Sequence, residues 1–215
     1  MSRLGAAAVG GLLLVAAWAG PLAARAASSF TAHMAIHVTV IAIAAPLLAF
    51  AMGPRFALAR RCPLLFAPLV ASLLDIVAIW GWHAPAPHVL ARTSALGFAL
   101  EQLSFLAVAL LVWTSALGAG QSESRAGQAA GVGALLFTSM HMTLLGALFA
   151  LAPRELFPRE ICGSAFAGLT ALQDQQLGGT LMLALGGASY LAGALYLLAR
   201  LLSDGALGAR DARHG

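Results

Sequence analysis

Six apolar runs of about twenty residues divide this chain, at 4–24, 33–52, 63–82, 94–117, 129–151 and 175–202. A helix needs about 20 residues to cross the hydrocarbon of a bilayer, whereas a barrel strand needs only 9–11. In lipid every backbone N–H and C=O must be paired internally, which leaves helices for runs this long. The pattern predicts an all-α, polytopic transmembrane bundle of about six spans in one membrane domain, with a short tail over 203–215. The charge content agrees. Only 9% of the 215 residues are charged and 60% are apolar, against about 25% charged in soluble domains.

All twelve basic residues are arginines, and they sit mostly at the ends of runs rather than in blocks. A net charge of +4 distributed in this way does not point to nucleic acid. It sets orientation instead, because cytoplasmic loops carry the arginine excess. Arg3, Arg55, Arg60, Arg61, Arg125, Arg200, Arg210 and Arg213 fall on one side, and Arg25, Arg92, Arg154 and Arg159 on the other. The first set is expected inside, so both termini are cytoplasmic. Residues 1–26 read as a retained span or as a cleaved signal peptide ending near Ala24-Arg25-Ala26. The apolar run exceeds the 7–15 residues of a signal core, which favours the span. Cys62 and Cys162 then lie on opposite sides of the membrane, too far apart for a disulfide within one molecule.

With this topology the polar residues of the spans gather at the outer end. The second run opens TAHMAIHV, with His33, Met34 and His37. At about 100° per residue the three share one helix face. Imidazole and thioether donors suit a soft ion such as Cu(I) and suit magnesium or calcium poorly. His83 follows Trp82 at the outer exit of the third run, where the tryptophans fit an interfacial belt and the prolines are expected to end the helix. His88 follows five residues later. His141, between Met140 and Met142, lies roughly 15 Å below the outer end of its span. The two methionines diverge by about 160°, so only one can share a site with it.

Three carboxylates complete the set. Asp75 lies about 12 Å below His83 on the third run. Glu101-Gln102 and Asp174 stand near the starts of the fourth and sixth. Acidic groups near a helix N-terminus are favourable against the macrodipole, so capping competes with function at the last two. A carboxylate within a span needs a partner, so Asp75, Glu101 and Asp174 are expected to orient ligand imidazoles or balance protons. No phosphate-binding glycine loop, GxSxG or HExxH occurs, and the loops are too short for a soluble catalytic domain. The chain does not read as an enzyme.

The order of these elements resembles the CtaG family of polytopic cytochrome c oxidase assembly proteins. His33-Met34-Ala35-Ile36-His37 is similar to its HMxxH element and Trp82-His83-Ala84-Pro85 to its WHxP exit. Glu101-Gln102-Leu103-Ser104-Phe105 is similar to its EHxxF element, and Asp174-Gln175-Gln176-Leu177-Gly178-Gly179 to its DQQxxG opening of a late span. Gln102 stands where the family usually has histidine, and Val38 where it often has methionine. The resemblance covers about residues 30–202. It implies a multi-pass protein of the bacterial plasma membrane that assists assembly of a haem–copper oxidase. Its partners are the oxidase subunits and membrane lipid, and copper is the metal it handles. His33, Met34 and His37 are the expected ligands, with His83 and His141 as further ones. A b-type haem subunit ligated by His37 and His141 and a metal-free structural partner of the oxidase remain as alternatives. A proton-coupled transporter using Asp75 and His141 has no broken-helix repeat to support it.

Overall fold

A computed structural model describes residues 1–53, 59, 61–118, 125–158, 166 and 168–211, with side chains to residue 204. Cys162, Arg55, Arg60, Arg159, Arg213 and the polar loop at 119–124 lie outside the described residues, whereas Cys62 is a free, exposed thiol. Among the described residues every regular element is helical. The helices are α1 (Arg3–Ala19), α2 (Pro21–Ala26), α3 (Phe30–Val38), α4 (Ala45–Met52), α5 (Pro68–Trp82), α6 (Pro85–Thr93), α7 (Ala95–Ala116), α8 (Arg125–Ala150), α9 (Ala171–Leu181) and α10 (Ala188–Asp211). Five helical stretches are long and apolar enough to cross a membrane: Arg3–Ala26, Phe30–Met52, Ala95–Ala116, Arg125–Ala150 and Ala171–Asp204.

The third expected span differs. Helix α5 has 15 residues, about 22 Å of rise, short of the roughly 30 Å of hydrocarbon. The helix ends at Trp82 as expected, but the chain does not leave the bundle there. Pro85 opens α6 instead, bent by 73° from α5. The reason is local. The residue before a proline is pushed out of the α region, and Ala84 is extended at φ −69°, ψ 148°. Pro85 itself, at the first helical position, surrenders no intrahelical hydrogen bond.

Proline acts differently in the second span. Pro46 has no N–H, so the carbonyl four residues earlier, Ala42, loses its helical donor. The chain answers with a π turn over Thr39–Ala44. The Ser189 hydroxyl donates to Ala42 O at 2.7 Å, and the Trp113 indole donates to Ile41 O at 3.2 Å. A second π turn, Met182–Gly187, joins α9 to α10, and the Ser139 hydroxyl caps the Gly187 carbonyl at 2.8 Å. These bonds tie the interruptions of two spans to their neighbours.

Polarity is distributed inside out. Leu12, Val77, Leu103, Met140, Leu144 and Leu195 are among the exposed large apolar side chains, while five histidines, Asp75, Glu101 and Asp174 are buried. Only a hydrocarbon surround makes that arrangement favourable. The protein is a multi-pass membrane bundle.

Without a hydrophobic drive between helices in lipid, close backbone approach holds them together. Helices α8 and α9 meet at Gly146 and Gly179, where a Cβ added at Gly179 would stand 2.5 Å from Ala150 N and 2.7 Å from Phe149 Cβ. Gly179→Ala is expected to destabilise the bundle by about 1–3 kcal/mol through overpacking, read as a lower unfolding temperature in detergent. Gly133→Ala, on an open face with nothing within 4 Å, serves as the control. Equal unfolding temperatures for the two variants would show that the crossing can relax.

Candidate metal centre

The site is built where the second span starts. Ser29 caps α3, its hydroxyl accepting from Ala32 N at 3.2 Å. The cap is itself held by Asp174 of α9. That carboxylate accepts from the Ser29 hydroxyl at 2.9 Å, Phe30 N at 2.6 Å and Thr31 N at 3.3 Å. Asp174 therefore serves the N-terminus of a neighbouring helix, where an anion meets orphan donors and the positive end of the dipole. It anchors α3 and does not reach the histidines.

One turn into α3, His33 and His37 stand on the same face with ring centroids 4.2 Å apart. Both turn to Glu101 of α7. His33 Nε2 lies 3.0 Å from Oε2 and 3.1 Å from Oε1, and His37 Nε2 lies 3.2 Å from Oε2. One ligand atom from each of the three residues falls within 4.8 Å of the others, and all three residues are buried. Glu101 is placed by its own surroundings. Gln102 Nε2 donates to Oε2 at 3.1 Å, and the Trp18 indole of α1 donates to Gln102 Oε1 at 3.2 Å.

The α5–α6 bend brings two more imidazoles. His83, at the C-terminal cap of α5, places its ring 5.6 Å from that of His37. Its Nδ1 is 2.6 Å from Ile79 O; a carbonyl can only accept, so Nδ1 carries the proton. The lone pair is then on Nε2, which is buried with no hydrogen-bond partner. His88 of α6 lies 5.5 Å from the His33 ring and 6.4 Å from His83. Phe30, Phe98, Phe105, Phe149 and Phe157 wall the group, with Phe105 edge-on to His37 at 4.7 Å. Within these aromatic walls the polar content is the imidazole nitrogens, the Glu101 carboxylate with its Gln102 donor, and the buried Arg92 that lines a cavity together with His33.

The remaining candidates lie elsewhere. Met34 is fully buried, and its stem lies towards Gly178 of α9, where a Cβ would meet Met34 Cγ at 3.2 Å. His141 pairs with Asp75, Nε2 to Oδ2 at 3.2 Å, roughly 12 Å of α5 below His83. One turn further, the Ser72 and Thr138 hydroxyls meet at 2.7 Å. Of the flanking methionines Met142 is buried and Met140 is exposed. The described contacts of His141 are to Asp75 and Phe137, not to His37 as a shared haem iron would require.

The donor set is thus two imidazoles and a carboxylate, with two further imidazoles, His83 and His88, adjacent. Such N/O sets suit first-row transition metals and not magnesium or calcium. A family model described as cytochrome c oxidase caa3 assembly factor matches residues 1–204. The chain belongs to this family. No curated protein and no solved structure matches it. In this caa3 oxidase assembly factor every residue of the cluster falls inside the matched region.

Sequence reading placed Glu101 in support of the histidines, whereas the structure puts it between them. One signal was present: Glu101 is the seventh residue of α7, deeper than a first-turn cap. The Trp18–Gln102 bond had no such signal, since it joins residues 84 positions apart.

Proposed function

We propose that this assembly factor holds Cu(I) as cargo at His33, His37 and Glu101, with His83 as an additional nitrogen ligand, and yields it to cytochrome c oxidase during assembly. The observation that carries the reading is the meeting of three buried ligand atoms from two helices within 4.8 Å. Orphaned nitrogens support it. His33 Nδ1, His37 Nδ1 and His83 Nε2 are buried without hydrogen-bond partners, a cost that a bound ion offsets at whichever nitrogen faces it.

Charge selects the oxidation state. A low-dielectric interior penalises net charge steeply. One carboxylate neutralises one positive charge, so Cu(I) with Glu101 and neutral imidazoles adds no net charge beside the buried Arg92. A divalent ion in the same place would leave a net positive charge. Met34 then serves packing against α9, and Asp75–His141 forms a separate buried pair. On this reading the cluster lies at the outer face of a bacterial plasma membrane, the side that the arginine distribution supports, and copper is passed on without chemical turnover.

The test is copper content of the purified protein under reducing conditions, by elemental analysis. Wild type is expected to retain copper and His37→Ala to lose most of it. Equal stoichiometry would remove His37 from the site. A wild-type preparation that stays free of copper would favour a metal-free partner of the oxidase.

A further inference from the structure

A cavity of about 260 Å³ opens beside the cluster, between α2, the end of α6 and the start of α7. His33 stands in its wall. That residue has no exposure of its own, so the cavity is what brings the exterior next to it. Five alanines line the space: Ala23, Ala26, Ala27, Ala91 and Ala95. A wall of methyl groups leaves the passage wide. Arg92, Thr93, Ser94 and Phe98 complete the wall, and among the described lining residues there is no carboxylate, thiol or thioether.

We propose that this cavity is the loading port of the cluster and that it admits Cu(I) still held by a small thiolate. The proposal rests on the copper reading of the cluster. An ion stripped of its ligands would meet the Arg92 guanidinium, which repels it, and only the hard hydroxyls of Thr93 and Ser94, already engaged with Val89 O and Gly97 N, before His33. Dehydrating it there is costly, and sulfur ligands are the ones that select Cu(I). Transfer is then ligand exchange. A bond from copper to the carrier thiolate breaks as a bond to a His33 nitrogen forms. Copper stays Cu(I), no electron moves, and the thiolate leaves by the route it entered. Glu101 and His37, which are not among the lining residues, complete the site.

The test fills the port without touching a ligand, using Ala91→Leu and, separately, Ala23→Leu in the full-length protein in detergent. A metal-free readout comes first. Diethyl pyrocarbonate acylates accessible imidazole nitrogens, and peptide mapping by mass spectrometry locates the label. His33 is fully buried at rest, so the label reaches it only as the cavity wall breathes. In wild type His33 is expected to be labelled slowly and His37, which does not line the cavity, to be spared. In both filled variants His33 is spared too. The second readout is the rate of uptake from the Cu(I)–glutathione complex. It is expected to fall by about tenfold or more in the filled variants, as when access alone is altered, with final copper content unchanged. An unlabelled wild-type His33 overturns the port, and so does uptake at the wild-type rate by a stably folded filled variant. A wild-type protein labelled at His33 that takes up no copper overturns the copper reading and leaves the access route standing.

Discussion

Glu101→Gln is expected to weaken Cu(I) binding by about 10–100-fold, the range seen when a carboxylate that sets a metal site is removed. The substitution keeps the side-chain volume and one acceptor oxygen, so the bundle should remain folded. It removes the negative charge. In the wild type Glu101 has both imidazoles within 3.2 Å and no exposure to solvent. With glutamine there, a bound Cu(I) would sit in a hydrocarbon-surrounded cage as an unbalanced cation. Competition against a chromogenic Cu(I) chelator measures the change. Asp75→Asn is the control, since that carboxylate faces His141 instead. Equal weakening by both variants would mean that general polarity, and not the Glu101 charge, holds the ion. A strain lacking the chromosomal copy and carrying Glu101→Gln should show the oxidase deficit of a strain without the protein.

Asp174→Ala is expected to have the largest effect on stability. It strips the acceptor from the Ser29 hydroxyl, Phe30 N and Thr31 N. A buried donor left unpaired costs about 1–3 kcal/mol. Several at one helix end come to roughly 2–5 kcal/mol after partial relaxation. The loss should appear as a markedly lower unfolding temperature in detergent. Asp174→Asn, which keeps one acceptor oxygen, should recover part of it. The consequence reaches the site, because His33 N bonds to Ser29 O at the first turn that Asp174 secures. Copper retention should therefore fall alongside stability, whereas Glu101→Gln lowers retention alone. An unfolding temperature unchanged by Asp174→Ala would mean that the Ser29 cap holds α3 unaided.

Both substitutions fall on residues whose surroundings were only partly legible beforehand. Glu101 and Asp174 each stand near the start of an apolar run, and helix capping was the competing explanation for both. The structure separates them. Asp174 is the first-turn acid of α9, and it caps a helix, although that helix is α3 rather than its own. Glu101 lies beyond the first turn, faces the interior and meets two imidazoles. The difference is one of depth and facing. Depth can be counted along the chain, but facing depends on which helix packs alongside.

Met34 shows the same limit from the other direction. Helical angle places it on the arc with His33 and His37, about 100° from the first. An arc that wide can serve two neighbours, and here the histidines turn to α7 while the methionine stem turns to α9. His83 depends on the bend more directly. The Trp82-His83-Ala84-Pro85 stretch announces a break, but the 73° change of direction into α6 is what carries His88 back over His33.

From the amino-acid order alone came the membrane, the helices and the kind of donor available. Those follow from chain-local physics: apolar length against bilayer thickness, backbone groups that must pair within a segment, and the chemistry of each side chain. Which donors meet was decided only in three dimensions. Ligation is a matter of a few ångströms between helices distant in sequence. Those ångströms are set by glycine contacts, proline breaks and an aspartate capping its neighbour, none of which has a spacing that can be read along one strand of text.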